Sequence, residues 1–333
     1  MPADAPVRMA FVGQRVFFEQ CALQQPAGGV EPSFVDFRQG ADAGRLRREV
    51  DELDADVVFV FRPETIPAGL FAGLRALTLG YLTEPLPRST RGPRPHPDLL
   101  QRLTYVRAAD AANFDRFASF DPLIAATAAD AGAPIWRAFP IPVADEHFTE
   151  VQPPSQPPRA VFVGRSTAHR ERFLVPVKHV HDVLHVAHGA TGERLRAIMR
   201  GATVAINLHN EPYPTFENRV ALHLAAGHLV ISEPLSPRHG LEPGVELLEA
   251  PTPDVLLRLV GDALRDPQAA HPMRLAGRRA AERFRASVVF PRIARELLED
   301  VARSGGRSDG PPRTKARRRS LRGAVRSRRA GRA

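Results

Sequence analysis

"TFENRVALHLAAGHLVISEP", Thr215 to Pro234, sets a carboxylate, an amide and a guanidinium side by side at the mouth of an apolar, alanine-rich run. The run predicts a short buried helix, because Ala and Leu dominate it and almost nothing polar interrupts it. Gly227 ends the helix, and "HLVISE" (His228–Glu233) is a β-branched strand pattern. Upstream, "ATVAINLH" (Ala202–His209) reads as a second buried strand, followed by a polar, proline-containing loop. Strand, loop, helix and strand form the repeating unit of a parallel α/β sheet.

The unit recurs on both sides. "RAVFVG" (Arg159–Gly164), "VLHVAHG" (Val183–Gly189) and "GVELLEA" (Gly244–Ala250) are strand-like, and "GERLRAIMRG", "TPDVLLRLVGDALRD" and the stretch through "RLAGRRAAERF" are helical. Pro291–Ala302 predicts a closing amphipathic helix. In the first half, "VRMAFVG" (Val7–Gly13), "PSFVDF", "DVVFVFRP", "RALTLGYL" and "ASFDPLIAA" (Ala118–Ala126) read as strands, and "AGRLRREVDEL" (Ala43–Leu53) as a helix. "PIWRAFPIPV" is a last extended segment. Between the halves lies "VQPPSQPPRA", with four prolines in ten residues, which cannot continue either kind of element. The expected organisation is therefore a Rossmann-like domain over 1–150, a linker over 151–158 and a second such domain over 159–302. The fold class is α/β, two doubly wound domains facing a cleft, with ligand expected at the carboxyl ends of the strands.

The 333 residues, 43% apolar and 25% charged, suit two soluble domains. No run reaches the ~18 apolar residues of a membrane helix, and no secretory signal is evident, so a cytoplasmic protein is expected. The net charge of +9 is unevenly placed. Residues 303–333 hold 12 of the 46 basic residues and one of the 37 acidic ones, leaving the body at −2. This tail is expected to be disordered, and an anionic membrane surface at the inner face is the partner its charge fits. Nucleic acid is not expected, since the body has no aromatic-basic surface. The single cysteine excludes a disulfide framework.

The helix opening near Thr215 is the candidate site. Thr215 can cap it, and free amides at its start favour an anion, phosphate above all. Glu217 could accept hydrogen bonds from sugar hydroxyls, and Arg219 offers a fork for phosphate oxygens. A capping acid and a surface arginine would produce the same pattern. Gly164 ends a strand where backbone can approach a ligand, and Arg165, His169 and Arg170 follow it. His181, His185 and His188 have the spacing of a helical metal face, but the segment reads better as a strand, so no metal site is expected. His188 and Gly189 fit the border of a base-binding pocket.

Taken with its flanks, the stretch resembles the nucleotide-binding half of GT-B glycosyltransferases, group 1 type, related to the spore-maturation CgeB proteins. The resemblance rests on Asn207 and Leu208, then Glu217, Asn218, Arg219, Ala225 and Gly227, then Gly240, Leu241, Pro243 and Gly244. It covers roughly residues 159–300; the first half matches in outline. It implies transfer of a sugar from a nucleotide-diphospho-sugar to an unidentified acceptor, with retention of configuration and without a metal or other cofactor. Glu217 and Arg165 would be catalytic. Gly164, Arg165, Arg170, His188, Gly189, Thr215, Phe216, Glu217, Asn218 and Arg219 would bind the donor. Gly13, Gln14, Arg15, Glu64 and Glu84, in loops after first-half strands, are the candidate acceptor contacts. One departure stands out: where such enzymes carry a second acid that holds the donor ribose, this chain has Leu222. A leucine cannot bond a diol, and His223 beside it points about 100° away on a helix. The alternative is therefore a non-catalytic nucleotide-sugar-binding protein of the same fold.

Overall fold

The computed structural model describes residues 5–89, 94–187 and 190–304. Strands β1 Val7–Gly13, β2 Val30–Asp36, β3 Val57–Phe61, β4 Leu77–Leu82, β5 Arg116–Ser119 and β6 Ile135–Ala138 form one sheet. Strands β7 Ala160–Val163, β8 Val183–Val186, β9 Val204–Asn207, β10 Leu229–Ser232 and β11 Leu248–Glu249 form the other. The helices are α1 Arg15–Phe18, α2 Ala43–Glu52, α3 Pro97–Ala108, α4 Ala125–Asp130 and α5 Ala168–Val180. They continue with α6 Gly192–Arg200, α7 Asn218–Ala225, α8 Pro253–Arg265, α9 His271–Ala280 and α10 Ala286–Arg303.

Both sheets are wholly parallel and wound alike. The first runs β2-β1-β3-β4-β5-β6 and the second β8-β7-β9-β10-β11, so each reverses direction beside its own first strand. That reversal leaves a crevice at the carboxyl ends of β1 and β3 in one lobe, and of β7 and β9 in the other. Buried parallel strands explain the unbroken apolar runs: all five residues of β3 are buried. Alternate residues serve opposite faces, with Met9 and Phe11 in one cluster and Ala10 and Val12 in another.

Helices α3 and α5 are absent from the sequence expectation, the strand expected over Gly244–Ala250 is only Leu248–Glu249, and three further differences have a visible cause. The run Ala118–Ala126 leaves the sheet at Ser119, because Asp121 caps a 3-10 turn through Pro122 and α4 follows. Helix α10 starts at Ala286 and runs through Pro291. It also crosses back to the first sheet, where Phe290 packs edge-on against Phe11 (4.6 Å between ring centres) and Phe59 (5.2 Å). Arg116 to Asp300 (2.8 Å) and Arg137 to Glu296 (3.3 Å) pin it there. Thr215 caps nothing: α7 begins at Asn218, with Glu217 in the cap position and Thr215 buried in the preceding loop. No described helix is long and apolar enough to cross a membrane.

Candidate functional site

At the carboxyl end of β7 the chain turns at Gly164, whose φ of +155° falls outside the usual L-residue range. A Cβ there would lie 2.6 Å from Arg219 Nη1 and 3.3 Å from the Phe162 ring. The missing side chain lets the Arg219 guanidinium lie against the strand end, where Nη1 donates to Val163 O (3.0 Å). Its Nη2 donates to Glu217 Oε2 (2.7 Å). From α5, Arg170 donates through Nε to Leu208 O (3.2 Å) and His209 O (3.1 Å), and through Nη1 to Arg165 O (3.0 Å). Its Nη2 lies 3.6 Å from Glu217 Oε1. Both guanidiniums sit over the Phe162 ring, at 5.4 and 5.5 Å.

Glu217 thus joins α7, α5 and β7. Its side chain is 20% exposed. Burial pushes its carboxyl up, but Arg219 and then Arg170 outweigh burial and hold it at about 2. Burial and the neighbouring Arg219 lower Arg170 to about 10, so it remains cationic at neutral pH. Beneath this pair, Glu233 at the end of β10 accepts from His209 N (2.7 Å) and shares a hydrogen bond with His169 Nε2 (2.9 Å). Of Arg165, Arg170 and Arg219, Arg165 alone is exposed, tethered through Nε to Asn210 Oδ1 (3.1 Å).

These groups face a cleft of about 700 Å³ between the lobes. Of the sequence-named donor residues it brings together Gly164, Arg165, Arg170, Thr215, Phe216, Glu217, Asn218 and Arg219. Asn218 and Arg219 at the α7 start line it, and the Glu217 side chain makes no capping bond, while Val220 N donates to the Glu217 carbonyl (3.0 Å). His188 and Gly189 lie outside the described residues. Of the other histidines, only His185 lies on the expected strand, where it bonds Gly164 O (2.8 Å) and Lys178 Nζ (2.9 Å), while His181 caps the end of α5.

The opposite wall departs from expectation. Glu64 and Glu84 line the cleft, paired with Arg62 (2.9 Å) and Arg102. Gly13, Gln14 and Arg15 do not. Gly13 is packed between Phe18 and Phe61, and Arg15 turns away to Phe34 O (2.9 Å) and Glu19 (2.8 Å). The residues after them, Phe17, Phe18 and Gln20, line it instead. Arg62, Gln101, Arg102 and Tyr105 were not identified from sequence, although Arg62 stands directly after a strand, where ligand contacts concentrate. The Asp54-Ala55-Asp56 triplet pairs with Arg8 at the amino ends of β1 and β3, the far end of the sheet from the cleft. Leu222 belongs to the core, not to the cleft wall. His223 is likewise buried, and its Nδ1 lies 3.0 Å from His228 Nδ1.

No protein-family model and no curated protein sequence matches the chain. Solved structures do. HepE from Anabaena, in complex with UDP-glucose, matches with a TM-score of 0.57 at 10% identity, covering 88% of this chain and 99% of that one. Sucrose-phosphate synthase from Thermosynechococcus elongatus gives 0.58 at 13% identity, over 88% and 100%. A glycosyltransferase from Rickettsia africae gives 0.57 at 10% identity, over 89% and 99%. With two like-wound parallel sheets meeting at a cleft, the chain has the two-lobed GT-B fold of these glycosyltransferase structures.

Proposed function

We propose that the protein is a glycosyltransferase of the group 1, CgeB-related type, which moves a sugar from a nucleotide-diphospho-sugar to an acceptor hydroxyl. The observation that carries this reading is the exposed Arg165, which follows Gly164 at the second sheet's crevice and faces the same cleft as the open α7 start. A diphosphate fits the unpartnered Nη groups of that guanidinium beside a helix start that no side chain caps. In transfer, the bond from the sugar's anomeric carbon to the diphosphate oxygen breaks. A bond to the acceptor oxygen forms, and the acceptor proton passes to the departing diphosphate. Arg165 and the α7 amides would stabilise the charge on that leaving group, which dispenses with a metal. Glu217 would hold sugar hydroxyls with its outward edge while its ion pairs fix its position. Retention of configuration belongs to the same reading. That HepE binds UDP-glucose makes a UDP-sugar the first donor to try.

The test is a thermal-shift series with UDP, UDP-glucose and other nucleotide sugars, since a ligand bound only by the folded state raises the melting temperature. One of them should raise it in the wild type and fail to do so in Arg165→Ala. No shift with any nucleotide sugar would sink the proposal. A second reading, donor binding without turnover, is favoured by Leu222. Binding with neither donor hydrolysis nor transfer would establish it. The basic segment 303–333 would add attachment to an anionic inner-membrane surface. Flotation with anionic vesicles should then be lost when it is removed, with donor binding intact.

A further inference from the structure

Among the described residues five arginines line the cleft, and three are spent on the protein itself. Arg170 and Arg219 hold backbone carbonyls and Glu217, and Arg102 is paired with Asp98 (2.8 Å) and Glu84. The remaining two are arranged alike, one in each lobe. Arg165 is tethered through Nε to Asn210, and Arg62 through Nε to Glu64 Oε1 (2.9 Å). Among the described residues, neither has a hydrogen-bond partner for its Nη groups. Each directly borders the crevice of its own sheet, one following β7 and Gly164, the other following β3.

Arg62 carries a further mark. Its backbone is left-handed, φ +64° and ψ +70°, which is costly for a residue with a long side chain. The surroundings impose it. Arg62 N donates to Tyr81 O (3.1 Å), its carbonyl accepts from Thr65 N (3.0 Å) and Thr65 Oγ1 (2.8 Å), and Pro63 disfavours a helical predecessor. The same first-lobe wall presents two exposed rings, Phe17 (56%) and Tyr105 (47%), and the Gln20 and Gln101 amides, whose nitrogens donate to Phe17 O (2.9 Å) and to the Tyr105 hydroxyl (3.0 Å). Rings cover the apolar face of a pyranose, and amides meet its hydroxyls. A guanidinium with free Nη groups matches an oxyanion.

We propose that Arg62 binds an anionic group on the acceptor, so that the acceptor is an acidic saccharide whose ring lies against Phe17 and Tyr105. This rests on the sugar-transfer reading above, with Arg165 serving the donor and Arg62 the acceptor. Carboxylate and phosphate share the recognised chemistry.

The experiment is saturation-transfer NMR with glucuronic acid, glucose and glucose 6-phosphate, with and without UDP. It compares the wild type with Arg62→Gln, Arg62→Lys and Arg165→Ala, each checked for a native melting transition. The wild type should bind an acidic sugar roughly tenfold more tightly than glucose, as expected for one charge-assisted fork. Arg62→Gln should abolish that preference and Arg62→Lys retain part of it. Arg165→Ala should keep it while losing UDP. Preference for glucuronic acid identifies the anion as carboxylate, and preference for glucose 6-phosphate as phosphate. Equal binding of glucose, no binding of any of the three sugars, or a preference that survives Arg62→Gln overturns the proposal. So does Arg62→Gln losing UDP with the sugar preference unchanged, which would assign Arg62 to the donor. If UDP binds neither the wild type nor any variant while the Arg62-dependent preference persists, the donor reading fails and Arg62 keeps an acidic-saccharide site without the acceptor role.

Discussion

Glu217 sits where two requirements meet. A carboxylate beside Arg219 (2.7 Å) and Arg170 (3.6 Å) offsets part of the repulsion between two guanidiniums that the Phe162 ring and the strand end hold close together. The same carboxylate lines the cleft. Its folded value of about 2 lies below the ordinary 4.5, so between these the unfolded chain binds more protons than the folded one. Its contribution is therefore complete above pH 4.5 and is lost as pH falls towards 2. Glu217→Gln should cost about 2 kcal/mol near neutrality, by leaving the two cations unmatched. It should also flatten the acid limb of a urea-denaturation series over that window. An unchanged limb would show that the ion pairs do not hold in solution. If the carboxylate also contacts the donor sugar, donor affinity falls in the same variant. Glu217→Asp, which keeps the charge but shortens the reach, would separate the two effects.

At the scale of elements, α7 is held at both ends by polar bonds made inside apolar surroundings. Its start is fixed by Arg219 to Val163 O. Near its end, His223 and His228 lie ring to ring, fully buried, and His228 Nε2 donates to Met199 O (2.8 Å) at the end of α6. With that proton on Nε2, His228 Nδ1 must accept, and His223 donates to it. Burial lowers both, His228 to about 4 and His223 well below its usual 6.5. Between pH 6.5 and 4 the unfolded chain binds protons that the folded pair refuses, so stability falls as pH falls through that window. His228→Phe should lower stability near pH 7.5 by about 1–2 kcal/mol, through two lost hydrogen bonds, yet shrink the decline between pH 6.5 and 4. Denaturant melts at several pH values decide it, and an undiminished decline would mean the pair titrates normally. Little of this was legible in the sequence. The strands were, because parallel strands buried on both faces need unbroken β-branched and aromatic runs. The loops that border the cleft were too, because Gly164 and Arg165 follow such a run directly. The cap at Thr215 was misread because the extended Pro214–Phe216 loop delays the helix to Asn218, a choice made by tertiary packing of Phe216 on His239 and Phe284. Arg62 escaped notice because its left-handed backbone depends on Tyr81 and Thr65, not on any local pattern.

Across the whole molecule, the two lobes are joined by more than the proline-rich connection. Arg88 of the first lobe bonds Ser236 Oγ (2.9 Å) of the second, and Tyr213 donates to Asp98 on α3 across the cleft. A further tie is α10, which is the last of the described elements in sequence but completes the core of the first sheet. Period and proline position could mark that segment as a helix. They could not say which sheet it covers, since both present apolar faces. The packing decides it: Phe290 is fully buried with its ring edge-on to Phe11 and Phe59. Phe290→Ala should therefore cost about 3–5 kcal/mol, as for other large-to-small changes in a closed core. The loss should fall on the first lobe despite the residue's position in the chain. Amide hydrogen exchange should quicken most in β1 and β3, with β9 and β10 changing less. Quickening confined to β9 and β10, or a cost below about 1 kcal/mol, would detach α10 from the first lobe. That detachment would open the apolar cluster the two lobes share, and with it the packing that keeps Arg62 and Arg165 facing a shared space.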